Sequence, residues 1–435
     1  MSAEVILATT VLGTLFLLLA SGVWVGVTLV VVGFLSLFFF TPAPTGSLLA
    51  STIWDSSWGW ALTALPLFIW MGEILFRSRL SEDMFKGLAP WLGWLPGRLL
   101  HVNILGCGVM AAVSGSSSVT CATIGRMSMP ELRKRGYHEG MAIGTLAGSG
   151  TLGLLIPPSI MMIVYGITAQ VSIGRLFIAG FLPGFMMIGL FMAYTAGWAL
   201  LNPTKVPPAD PRMTFGEKIW NARRLIPVIL LIVTVLGSIY GGVATPTEAA
   251  VMGVLGALVL AAVTGSLSWE TFKDSLLGAV RTSCMIGLIL VGAAFVTMAM
   301  AFTGLPATMA NWVNGLGLSP YGLILLLTLL YILLGCFLDG VSMIVLTAPV
   351  VLPMVTAQQI DPLWFGIYIV LVVEMAQITP PVGFNLYVLQ SLTGRDIWTV
   401  TKATAPFFLL LCVGIVLITL FPDIVTVLPR QMTHG

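Results

Sequence analysis

Ile156-Pro157-Pro158-Ser159 and Thr379-Pro380-Pro381-Val382 each sit inside a strongly apolar run, and they lie 223 residues apart in a chain of 435. A proline inside a membrane helix lacks the N–H that closes a backbone hydrogen bond and clashes with the preceding turn. A tandem pair therefore breaks the helix and frees carbonyls that need partners. Interrupted helices at matching positions in two halves of a membrane protein are the sequence mark of a secondary transporter's substrate and ion site.

The surrounding composition is that of an all-α polytopic membrane protein. Hydrophobic residues make up 58% of the chain, charged residues 8%, and the mean hydropathy is +1.03. Runs of roughly 20 apolar residues, enough to cross the hydrocarbon core, recur from Val5 to Phe421, whereas a barrel would show short alternating segments. The first run, Val5 to Ala20, has no basic leader and reads as a retained helix. A net charge of +2 without a basic tail gives no reason to expect nucleic acid. Cys107, Cys121, Cys284, Cys336 and Cys412 lack Cys-x-x-Cys spacing and read as free thiols. No Gly-rich loop ending in Lys-Ser/Thr is present to cradle a nucleotide. Scattered histidines and lone acids make no catalytic constellation, so the chain does not read as an enzyme.

Sliding the chain by 223 lays Pro130 on Pro353, the two Pro-Pro pairs on each other, and Ser116 on Asp339. Two repeats are expected, residues 1–201 and 225–422, joined by the polar linker 202–224 and followed by a tail, 423–435. Basic residues flank the apolar run 99–124 on both sides (Arg77, Arg79, Lys86 and Arg98 before it; Arg126, Arg133, Lys134 and Arg135 after it), so both flanks read as cytoplasmic and the run as a re-entrant hairpin. The equivalent run, 321–351, has flanks without Lys or Arg and reads as a hairpin entering from outside. Opposite entry is what an inverted-topology repeat demands. The broken helices are expected at 141–168 and 365–390, and the segments Ser47 to Trp58 and Leu267 to Ala279 as interfacial connectors at opposite faces of the bilayer.

The first hairpin tip, Ser114-Gly115-Ser116-Ser117-Ser118-Val119-Thr120, offers small residues for a tight turn and hydroxyls as hard oxygen ligands for a small cation. The second tip carries Asp339-Gly340, and an aspartate at membrane depth marks an ion path by default, which makes Asp339 the leading single residue for cation binding; the alternative is a cap satisfied by backbone donors. Upstream of the breaks, Gly150-Thr151 and Gln377-Thr379 end half-helices whose carbonyls suit a cation. Downstream, Ser159 and Asn385 lie where a new helix turns its positive end into the gap, which suits an anionic substrate. Pro157, Pro158, Pro380 and Pro381 make the breaks, and Glu374 is expected to hold its break together rather than to touch ligand.

Val113-Ser114-Gly115-Ser116-Ser117-Ser118, Gly150-Thr151-Leu152-Gly153-Leu154-Leu155-Ile156-Pro157-Pro158, Gly242-Val243-Ala244-Thr245-Pro246-Thr247-Glu248-Ala249 and Ile378-Thr379-Pro380-Pro381-Val382-Gly383-Phe384-Asn385 together resemble the large membrane subunit of tripartite ATP-independent periplasmic (TRAP) transporters, over essentially the whole chain. The second tip departs from the family, reading Asp339-Gly340-Val341-Ser342 where members often carry Asp-Pro-Thr. The resemblance implies a sodium-driven, elevator-type importer of organic acids in a bacterial inner membrane. It implies two partners, a small four-helix membrane subunit and a periplasmic substrate-binding protein. Substrate would meet Ser116, Ser117, Ser118, Ser159 and Asn385. Sodium would be held by Ser114, Ser116, Gly150, Thr151, Asp339, Gly340, Gln377 and Thr379. A stand-alone ion-coupled carboxylate carrier of related fold is the alternative.

Overall fold

The computed structural model describes residues 3–432 except 79, 209–212, 224, 305–307, 309–314, 316, 336–337 and 381–382, and all regular structure among the described residues is helical. The first half runs α1 (Ala3–Ala20), α2 (Val25–Phe40), α3 (Thr45–Ser57), α4 (Trp60–Phe76), α5 (Leu80–Leu92), α6 (Leu100–Ser114), α7 (Ser117–Lys134), α8 (Glu139–Leu155), α9 (Ile160–Ala169) and α10 (Ile173–Leu201). After a linker containing α11 (Phe215–Ala222), the second half runs α12 (Ile226–Tyr240), α13 (Pro246–Val263), α14 (Trp269–Thr303), α15 (Pro320–Gly335), α16 (Gly340–Ala357), α17 (Pro362–Gln377), α18 (Phe384–Thr393), α19 (Ile397–Leu420) and α20 (Asp423–Arg430). Six of the described helices are long and apolar enough to cross a membrane, or eight if each sharply bent pair is one span. The chain is a multi-pass membrane protein.

Part of the order of elements recurs among the described residues. An offset of 223 carries both ends of α7 onto those of α16, and the left-handed Gly136 after α7 onto the left-handed Gln359 after α16 (φ +75° and +56°). Two differences stand out. The connector expected at Leu267 to Ala279 is not separate, because α14 runs unbroken for 35 residues, whereas α3 and α4 are bent by 57° at Trp58-Gly59. The sequence from Ala279 to Thr282 holds no glycine or proline to interrupt the backbone ladder. The tail, in turn, contains a helix: α20 buries Val425, Thr426 and Pro429 and packs on α10.

Two groups of helices follow from the packing. In one, α2 and α4 pack on α14, and α4 on α13. Gly26 and Gly292 allow the close approach, for a Cβ on Gly26 would lie 2.7 Å from Leu288 Cγ. In the other, α6, α7 and α19 pack around α8, whose Gly144 and Gly148 receive Phe407 of α19. A cavity of about 970 Å³ lies along α3, α4, α14, the end of α9 and the starts of α10 and α13, lined by Asp55, Trp60, Gln170, Thr245, Thr247 and Thr297 among others.

Charge sorts spatially as well. Arg133 and Arg395 both bind Glu139, at 2.7 and 2.6 Å, and Arg77 reaches Asp274 at 3.7 Å, so charged segments of the first part of the chain meet charged segments of the second. Contact with Glu139 holds the Arg395 guanidinium above its ordinary value.

Candidate functional site

The first hairpin turns on Gly115, whose φ is +59° and whose Cβ, if it had one, would lie 2.9 Å from the Pro158 carbonyl oxygen. Ser114 Oγ ties the tip internally, 2.6 Å from Thr120 Oγ1, and accepts from Ser116 N at 3.4 Å. The Gly115 carbonyl accepts from Ile160 N at 3.4 Å, so the tip rests on the first residue beyond the break. From the other side, Gly153 admits the Ser116 carbonyl against its backbone where any Cβ would collide with it.

The break itself follows from missing donors. Pro157 and Pro158 lack the N–H groups that would have reached the carbonyls of Gly153 and Leu154. Ser159 repairs one loss: its Oγ donates to the Leu154 carbonyl and accepts from Met162 N at 3.4 Å, capping α9. In the second half, Thr379 N donates to the Ala376 carbonyl at 3.2 Å and Thr379 Oγ1 to the Met375 carbonyl at 2.6 Å. The Gln377 and Thr379 carbonyls then converge on Gly383, 2.9 and 2.8 Å from where its Cβ would stand. Pro380 follows Thr379 directly, and Pro381 lies outside the described residues.

The two halves share one centre. Asn385, in the first turn of α18, is fully buried and donates through Nδ2 to Ser117 Oγ at 2.7 Å, while its Oδ1 has no partner among the described residues. The second break is thereby fastened to the first hairpin. Glu374 of α17 is also fully buried, faced by the Thr151 hydroxyl and the Leu155 backbone of α8. Neither of its oxygens completes a hydrogen bond to a described residue.

The expected residues divide accordingly. Ser114, Ser116, Ser117, Ser159 and Asn385 gather around the first tip, with Ser118 half-buried in the opening turn of α7. Gly150 packs on Cys121, one turn along α7, rather than on the tip, and Thr151 faces Glu374 instead of the serines. Asp339 caps α16, its Oδ2 accepting from Val341 N at 3.1 Å and Ser342 N at 3.3 Å and its Oδ1 from Ser342 Oγ. Gly340 fits against Val373, and Gln377 is buried at the end of α17. Sequence reasoning did not single out Gly153 and Gly383; both glycines stand within the same motifs, but only the fold shows which backbone each one admits.

The family model described as "Tripartite ATP-independent periplasmic transporter, DctM component" matches residues 12–424. The chain belongs to this family. Among TRAP permeases, the C4-dicarboxylate TRAP transporter large permease protein DctM of Pseudomonas aeruginosa is 33% identical over 401 residues, covering 92% of this chain and 93% of that one. The sialic acid TRAP transporter large permease protein SiaM of Vibrio cholerae is 29% identical over 376 residues, covering 85% and 86%. The crystal structure of the Alcanivorax borkumensis YdaH transporter matches with a TM-score of 0.60 at 16% identity over 88% of this chain and 89% of that chain, which bears on the fold alone. As a TRAP large permease, the protein is a transporter and not an enzyme.

Proposed function

We propose that this chain is the membrane-embedded transport subunit of a sodium-coupled, binding-protein-dependent importer of organic acids in a bacterial inner membrane, with linker 202–224 on the cytoplasmic side. The observation that carries this reading is the Asn385–Ser117 bond, which joins a broken helix of one repeat to the hairpin tip of the other in a buried centre. Carbonyl ends of α8 and α17 enter that centre as seats for a cation, and the starts of α9 and α18 turn amide ends towards an anion. Small oxygen ligands suit sodium, which is cargo here: Ser114, Ser116, Gly150 and Thr151 near the first break, and Asp339, Gly340, Gln377 and Thr379 near the second. Ser116, Ser117, Ser118, Ser159 and Asn385 would meet the substrate. Relatives named for C4-dicarboxylates and sialic acid support an organic acid, and the family's tripartite name supports a substrate-binding protein and a small membrane subunit as partners.

Residues 1–201 and 225–422 act as inverted repeats in this reading. The hairpins and broken helices move as an elevator against the α2–α4–α13–α14 group, and the cavity along α3, α4 and α14 also reaches the end of α9, beyond the first break. Sodium favours loading from outside because ion and substrate bind one assembled centre, so each raises affinity for the other. The test is uptake of labelled organic acids into proteoliposomes holding this chain with its small subunit, with and without a binding protein and an inward sodium gradient. Uptake needing both supports the reading. Uptake indifferent to the binding protein points to a stand-alone carrier, and uptake driven by protons alone overturns sodium coupling.

A further inference from the structure

Glu374 stands 223 residues after Thr151, so the two occupy equivalent places in α17 and α8, yet they face each other. Equivalent residues of two related halves can meet only near the axis that relates them. The Glu374 carboxylate therefore lies at the centre of the molecule, in the last turn of α17 and beside the last turns of α8. It is fully buried, faced by the Leu155 backbone as well as by Thr151, and neither oxygen completes a hydrogen bond among the described residues. Thr151 brings no proton to it, since Thr151 Oγ1 donates to the Gly148 carbonyl at 2.7 Å. A carboxylate left unpaired in a low-dielectric interior is strongly disfavoured, and the partial negative charge at two helix C-termini worsens its position. Among the described residues the spot lacks positive charge, and what it offers is oxygen: two carboxylate oxygens and the lone pairs of Thr151 Oγ1.

We propose that Glu374 and Thr151 form a monovalent-cation site on the pseudo-two-fold axis, a seat for one coupling ion contributed by both repeats at once. This deepens the sodium-coupled reading and rests on it. One carboxylate shared between the halves would tie occupancy of the ion to the mutual position of the two breaks, which separate sites within each half would not do.

The test compares thermal unfolding of the purified full-length chain in rising sodium chloride, with choline chloride holding ionic strength constant, for the wild type, Glu374→Gln and Thr151→Val. The expected result is saturable stabilisation of the wild type by sodium, with half-saturation shifted upward about tenfold or more in Glu374→Gln, as removal of one charged ligand predicts. A smaller upward shift is expected in Thr151→Val, which keeps the charge and serves if Glu374→Gln does not fold. A purely structural role would move the unfolding temperature in choline and leave the sodium half-saturation alone. Wild-type and both variant curves with the same half-saturation overturn this site while leaving sodium coupling standing. A wild type that ignores sodium overturns the coupled reading and this site together. Unshifted sodium curves accompanied by loss of a pH response in Glu374→Gln overturn it in favour of a proton.

Discussion

Asp339 and Glu374 are both acids in apolar runs, and their surroundings separate them. Asp339 is half-buried and receives two backbone N–H groups and a serine hydroxyl as the cap of α16; Glu374 is fully buried and completes no hydrogen bond among the described residues. For Asp339, the cap and the charge can be tested apart. Asp339→Asn keeps a capping oxygen and should hold thermal stability to within a few tenths of a kcal/mol, while Asp339→Ala should lose about 1 kcal/mol. If the charge also serves the ion, Asp339→Asn lowers sodium-driven uptake about tenfold or more despite its stability; full uptake in Asp339→Asn would reduce this acid to a cap. At the shared centre, Ser117→Ala leaves the Asn385 amide buried and unpaired, with an expected cost of about 1–3 kcal/mol in unfolding free energy. Ser117→Ala with Asn385→Leu, which removes both polar partners, should regain stability without regaining transport.

At the scale of elements, glycines set how near two helices come. A Cβ on Gly148 would lie 2.6 Å from Phe407 Cδ1, and one on Gly144 would run into the Ala403 carbonyl. Gly148→Ala is therefore expected to cost about 1–3 kcal/mol through overpacking, read as a lowered unfolding temperature in detergent. Adding Phe407→Leu should recover part of that loss, and failure to recover would mean that the α8–α19 contact is not what Gly148 protects. The bend between α3 and α4, absent from α14, shows the same dependence on single residues. Trp58-Gly59 stops one helix, and the matching stretch in the second half has nothing to stop it.

At the scale of the whole molecule, inversion is a claim about sides. Lys134 and Ala357 are equivalent, exposed, and the last residues of α7 and α16. With the native cysteines replaced, Lys134→Cys should react with a membrane-impermeant thiol reagent only from the cytoplasmic face and Ala357→Cys only from the periplasmic face. Labelling of both from one side would sink the inverted reading. The Arg133–Glu139–Arg395 cluster belongs to the same scale, because it joins the two halves at the basic face. Exposed pairs of this kind contribute little to stability. Glu139→Gln should leave the unfolding temperature nearly unchanged, and a large fall would show that the cluster holds the halves together.

Fold class was legible in the sequence because apolar runs of membrane length, paired prolines and one-sided basic flanks are physical requirements written residue by residue. The offset of 223 was legible for the same reason: a broken helix in each half needs its own Pro-Pro pair. How each acid is partnered was not legible, since partners of Asp339 and Glu374 depend on how the helices pack around them. Nor was the bond from Asn385 to Ser117, 268 residues apart, or the meeting of Glu374 with its own equivalent, Thr151. The sequence by itself determined that the chain crosses the membrane many times and breaks twice in corresponding places. Only the tertiary structure decided that the breaks share one centre, because burial and partnership belong to the packing of distant helices and not to any local run of residues.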